Sequence, residues 1–258
     1  MKTTSGLTSA NSTKKRNSVS ETGHAKNVAN FQDLISFVIG NGPTYNPTKN
    51  ALKLAQLNSL LAASQTSLTD VIAKKTAYNN KVNERVIAFS NIKTLSTRLI
   101  NALETTDAST EKIKNAKVFN RKIQGQRAST VATTTDALEP AGKTISTNQQ
   151  SYDQQIQHLA GLISVLQSEP SYAPNETELK ITTLTAKQSD LTAKNNAIAT
   201  AYTSISNSRI ARNTTLYGTD TGLVDIAIEV KKYIKSVFGS TSPQFAQVNA
   251  IQFKNQKK

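Results

Sequence analysis

Cysteine and tryptophan are absent from the 258 residues, and methionine occurs once. Without cysteine the chain has neither a disulfide framework nor a thiolate metal site, and its redox compartment is left open. Glycine (10) and proline (6) are scarce, which removes the turn punctuation that an all-β fold requires and points to long helices. Aromatic residues make up 5% and apolar residues 37% of the chain. That is little bulk for a wide globular core, but a long thin bundle needs less. No apolar run approaches the ~18 residues of a membrane span, and the amino terminus lacks the apolar core of a secretory signal. The expectation is a soluble, cytoplasmic protein.

Acidic residues are also in deficit. Lys and Arg number 31 against 17 Asp and Glu, a formal net charge of +14, which favours nucleic acid, an anionic membrane surface or an acidic partner. The lysines are spread over several segments, however, and no aromatics interleave with them as base stacking would require.

What the sequence does contain, it contains twice. Pro43-Thr44-Tyr45-Asn46-Pro47 returns as Pro170-Ser171-Tyr172-Ala173-Pro174. Thr76-Ala77-Tyr78 with Asn83 and Arg85 returns as Thr200-Ala201-Tyr202 with Asn207 and Arg209. The two matches keep their order at offsets of about 127 and about 124 residues, so an internal duplication of roughly a hundred residues is the economical reading.

Periodicity organises the rest. Residues 1–22 form a polar tail, with a Lys14-Lys15-Arg16 cluster, that cannot bury enough apolar surface to order itself. Residues 23–125 read as a first helical unit. Val28, Phe31, Leu34, Ile35 and Val38 mark one helix, which Gly40-Asn41-Gly42-Pro43 stops. From Pro47 to about Leu103, apolar and polar positions alternate by three and four as in a coiled coil, predicting one helix of about 55 residues, roughly 80 Å long. A third helix runs from about Ser109, with Ile113, Ala116, Phe119 or Asn120, and Ile123 inward, to Gly125. Residues 126–147 read as a junction. Residues 148–239 repeat the scheme: a first helix through Leu166, a second long helix from Pro174-Asn175 to Leu216, and an amphipathic helix from Leu223 to Val237. Residues 240–258 read as an extended basic tail packed through Val248, Ile251 and Phe253.

Candidate sites are few. Tyr78, Asn83 and Arg85, with Tyr202, Asn207 and Arg209, sit at matching places on the long-helix seams and form a candidate buried polar network. A buried guanidinium needs acceptors, so the network either specifies helix register or lines a pseudo-symmetric anion pocket, and register is the favoured reading. Lys114, Lys117 and Arg121 on the third helix, and Lys231, Lys232 and Lys235 in the second unit, form a candidate polyanion face. Lysines opposite an apolar stripe also suit an ordinary surface helix. His24 and His158 fall in first helices, and the repeat aligns His158 with Phe31. Gly218-Thr219-Asp220-Thr221-Gly222 lacks the ligands of a calcium loop and reads as a turn with Asp220 or Thr221 as N-cap. No residue set suits catalysis, a metal or a cofactor.

The stretch Gly23-His24-Ala25-Lys26-Asn27-Val28-Ala29-Asn30-Phe31, the Tyr45-Asn46-Pro47 opening, Arg121-Lys122-Ile123-Gln124-Gly125 and Val237-Phe238-Gly239-Ser240 resemble a group of uncharacterised helical proteins from Bacteroidota to which no activity is assigned. The resemblance implies a fold and no site residues. The expectation is therefore an all-α, elongated antiparallel bundle of two homologous three-helix units with long central helices. Its expected role is non-enzymatic and structural, through self-association or a protein partner. Polyanion or nucleic-acid binding through the lysine faces is the alternative.

Overall fold

A computed structural model describes residues 23–126 and 150–255. It is 80% helix with no strand among the described residues, the class that scarce glycine and proline predict. The tail 1–22 and nearly all of the junction lie outside the described residues. The helices are α1 (His24–Gly40), α2 (Leu54–Phe89), α3 (Ile92–Glu104), α4 (Thr110–Gln124), α5 (Tyr152–Gln167), α6 (Ile181–Tyr217), α7 (Leu223–Phe238) and α8 (Pro243–Ala250). No described helix is long and apolar enough to cross a membrane.

Local chemistry sets several of these bounds. The Ser109 hydroxyl accepts from the Lys112 N–H at 3.3 Å to open α4, and Gly125, in the left-handed region at φ 76°, closes it. The Ser151 hydroxyl opens α5 in the same way, accepting from the Gln154 N–H. Each such cap contributes about 1 kcal/mol.

Three expectations need correction. The helix expected to run unbroken to Leu103 stops at Phe89. Ser90 directs both its N–H and its hydroxyl onto the Ile87 carbonyl, and Asn91 caps α3. A serine bound to the preceding turn satisfies a freed carbonyl without Gly or Pro. The break allows Ile92, Leu95, Leu99, Ile100 and Leu103 to face a separate core. The tail read as extended contains α8, which Ser242 caps by accepting from the Phe245 N–H, with Pro243 in the first turn.

The long helices also begin later than Pro47 and Pro174. Short 3₁₀ turns, Asn50–Leu52 and Thr177–Leu179, precede them. Here the repeated Pro-x-Tyr-x-Pro motif acts as a clasp: the Tyr45 hydroxyl donates to the Leu52 carbonyl at 2.7 Å, and the Tyr172 hydroxyl donates to the Leu179 carbonyl at 3.0 Å. Burial pushes the Tyr172 phenol up to about 12, and the Tyr45 phenol is raised as well.

The chain compacts into two units that each draw on both halves of the sequence, rather than following the division at 125 and 148. Of the described residues, the first unit comprises 23–69 and 211–255. In it Val28, Phe31, Leu34, Ile35 and Val38 of α1 pack with Leu223, Ile226, Ala227, Val230 and Ile234 of α7 and Val248 of α8. Of the described residues, the second unit comprises 70–126 and 150–210, with α3, α4 and α5 around Leu99, Leu103, Ala116, Ile123, Leu159 and Leu166. Full burial of each such Leu or Ile contributes about 1.5–3 kcal/mol. Phe119 of α4 lies over Gly161 of α5 so closely that a Cβ there would stand 2.2 Å from ring carbon Cε1.

Candidate functional site

In the second unit α2 and α6 exchange side-chain contacts in descending order along one helix as they ascend along the other. Ser208 donates to Asp70 at 2.6 Å, the Tyr78 and Tyr202 rings lie 6.1 Å apart, and Arg85 donates to Asn195 at 3.0 Å. The candidate polar network is thus assembled only in part. Tyr78 and Tyr202 meet each other, whereas Asn83, Asn207 and Arg209 are exposed. The expected likeness of Arg85 to Arg209 does not hold: one is half-buried and the other is solvated.

Arg85 is the centre of what does assemble. Its Nη1 bonds the Asn195 Oδ1, and the Asn195 amide donates to Asp153 Oδ1 at 2.6 Å, in the first turn of α5. The guanidinium carbon lies 4.0 Å from the centroid of the Tyr152 ring, which meets Phe89 edge-on at 4.7 Å. Arg85 Nε is buried with no hydrogen-bond partner among the described residues. On the preceding residue, bonds from Lys81 and Lys194 hold the Glu84 carboxyl below its usual range. Lys187 donates to the Ala88 carbonyl at 2.8 Å. The arrangement ties α2, α5 and α6 together. Asn195 was visible on the α6 seam, but Asp153, Tyr152 and the Asp70–Ser208 pair were not, because they carry no spacing signal.

The candidate polyanion face is largely engaged by the protein itself. Lys117 pairs with Glu104 at 2.5 Å and Lys114 lies 3.9 Å from Glu111. Lys231 donates to the Ile251 carbonyl, Lys235 sits over the Phe245 ring, and Arg121 is half-buried. Lys232 is exposed.

Elsewhere, His24 Nδ1 lies 2.7 Å from the Tyr217 hydroxyl. His158 is buried at 5% exposure, at the station aligned with the fully buried Phe31. Its Nε2 finds no partner among the described residues. Burial, then the Lys122 charge, holds this imidazole below its ordinary value. In the Gly218–Gly222 turn the N-cap of α7 is Gly222, not Asp220 or Thr221, and the Asp225 carboxylate accepts from the Asp220 N–H at 3.0 Å. Among the described residues no His, Asp and Glu cluster could hold a metal.

The fold and these contacts define an all-α helical protein. No family model, curated protein or solved structure matches the chain.

Proposed function

We propose that the chain is a duplicated, antiparallel helical-bundle protein of the cytoplasm with a non-enzymatic, structural role, acting through self-association. The carrying observation is a set of exposed apolar side chains on the long helices of the second unit. Ile72, Val86 and Ile87 of α2 are 66, 50 and 71% exposed, and Tyr202 and Ile210 of α6 are 58 and 62% exposed. Ile72 and Val86, about four helical turns apart, fall within roughly 40° of each other around α2. Five exposed apolar side chains on two helices suit a surface that another protein surface covers. The recurring tyrosine clasp supports duplication, because each clasp joins residues seven apart at corresponding places. Polyanion binding is the weaker alternative, since Lys117 pairs with Glu104 and Lys231 with the Ile251 carbonyl. Sedimentation velocity over a wide concentration range tests the reading: the wild type should associate, and Ile87→Glu should weaken association. A chain that stays monomeric throughout defeats it.

A further inference from the structure

Between Ile72 and Ile87 one exposed side of α2 carries no charge, in a chain whose formal net charge is +14. At about 100° per residue, eight residues fall within about 70° of a single line along the helix. Ile72 and Ala73 stand at one end of that line and Val86 and Ile87 at the other, with Thr76, Asn79, Asn80 and Asn83 between, and all eight are exposed. The nearest charges, Lys75 and Glu84, lie about 90° off to either side. Lys74, Lys81 and Arg85 lie further round, and Arg85 is bonded to Asn195 of α6.

Helix stability does not account for this composition. Ile, Val, Thr and Asn are poorer helix formers than Ala, Lys, Glu or Gln, and a side of a helix that stays in water ordinarily carries charged residues. A polyanion would need basic side chains here, and there are none. A face without charge is, in contrast, one that a strongly cationic chain can present to its own copy without repulsion.

The order of the residue types is a second, independent observation. Any line of helix positions is evenly spaced about its midpoint, but here the chemistry is mirrored as well. About the point between residues 79 and 80, Ile72 reflects onto Ile87, Ala73 onto Val86, Thr76 onto Asn83 and Asn79 onto Asn80. A two-fold axis through that point lays two antiparallel copies of α2 together so that each end, Ile72 with Ala73, meets Val86 and Ile87 of the second copy. Between the ends, uncharged polar side chains meet one another. At the axis Asn79 meets Asn79 of the second copy, and a primary amide, which both donates and accepts, can bond its own image. A parallel pair sets every residue against itself whatever the sequence, so only an antiparallel pair makes use of the mirrored order.

From this pattern we propose that the uncharged side of α2 is a homodimer contact, on which a second copy lays its own α2 antiparallel about a two-fold axis between Asn79 and Asn80. The proposal rests on the self-association reading and names its contact, orientation and axis. An isologous pair uses the face up, so this contact gives closed dimers and not filaments.

The full-length chain has no cysteine, so single cysteines report contacts without background. Helices packed about 8–10 Å apart bring the two copies of residue 79 to about 6 Å between Cα atoms, within disulfide reach. The two copies of residue 72 stand roughly 22 Å apart along the helices, while residue 72 comes level with residue 87 of the second copy. Under mild oxidation Asn79→Cys should form a covalent dimer. Ile72→Cys should not cross-link to itself but should cross-link to Ile87→Cys in a mixture of the two. Self-cross-linking of Ile72→Cys would mean a parallel pair and overturn the proposal.

Sedimentation velocity supplies the second arm, run to high chain concentration because one helix face makes a small interface. The wild type should form dimers. Asn79→Glu and Asn79→Lys should each weaken association about tenfold or more, because like charges then face each other at the axis. An equimolar mixture should restore dimers, because Glu then meets Lys. Glu and Lys are better helix formers than Asn at this exposed position, so both variants should stay folded, which circular dichroism checks. Charge variants that associate like the wild type, a mixture no better than either variant alone, or a residue 79 that does not cross-link would each overturn the α2 pairing while leaving self-association through another surface standing. A wild type that stays monomeric removes both readings and leaves the face to a different protein.

Discussion

Replacing Gly161 by Ala sets two effects of known size against each other at one place. Ala is favoured over Gly inside a helix by about 1 kcal/mol, so a surface site at the middle of α5 would be stabilised. At 161 the new Cβ would stand 2.2, 2.5 and 2.7 Å from Cε1, Cζ and Cδ1 of Phe119. Carbon atoms pack at about 3.5–4.0 Å, so the ring must move by more than about 1 Å. That displaces it from the α4–α5 contact, beside Ala116 and Ile123, which are fully buried. Overpacking of this kind costs about 1–3 kcal/mol. The net expectation is a loss of up to about 2 kcal/mol, a fall in Tm of up to roughly 8 °C by circular dichroism. The decisive arm is Phe119→Ala: with the ring gone, Gly161→Ala should change sign and stabilise by about 1 kcal/mol. A Gly161→Ala that stabilises the wild-type background, or equal effects in both backgrounds, would refute the close packing of α4 on α5.

His158→Phe should stabilise the protein, since the aligned station in α1 holds Phe31 without exposed surface and the imidazole Nε2 is buried unpaired. Burial lowers the folded-state His158 value below its unfolded 6.5, so the unfolded chain takes up the proton first. Wild-type stability should therefore fall as pH drops below about 6.5. Urea melts at pH 7.5 and pH 5 should show that the advantage of His158→Phe grows at the lower pH, and a constant difference would contradict the burial. Arg85→Met and Arg209→Met should diverge despite matching sequence positions. The first should leave the fold helical and change stability by about 1–4 kcal/mol in either direction, because a half-buried guanidinium leaves Asn195 and Tyr152. The second, on an exposed side chain, should stay within about 0.5 kcal/mol. Equal effects by chemical denaturation would show that the two environments do not differ.

Much of the helix layout was legible because helix ends are written locally. Gly40 through Pro43 stops α1, Ser109 and Gly125 bracket α4, and the apolar stripe from Leu223 to Ile234 marks α7. The α8 start was also written, in Ser242-Pro243, but an eight-residue helix shows too little periodicity to outweigh the surrounding polar residues. The break after Phe89 carried no Gly or Pro, and its cause is the pull of the α3 apolar face toward α4 and α5.

The candidate sites were less legible. Tyr78 and Tyr202 were found by repetition and do meet. The same repetition gave Arg85 and Arg209 equal standing, although only Arg85 has Tyr152 and Asn195 beside it. Asn27 and Asn30 carried no spacing signal as a site. They are buried because a segment more than two hundred residues away lies across them.

By itself, the sequence determined helical content, most helix ends and the repeated Pro-x-Tyr-x-Pro motif, since these depend on glycine and proline frequency, caps and spacing within a few residues. Only the tertiary structure decided which half of the chain completes which core, which repeated arginine is enclosed and which asparagines a distant segment covers. Those outcomes depend on surfaces that meet across long sequence separations, where identical local patterns receive different neighbours.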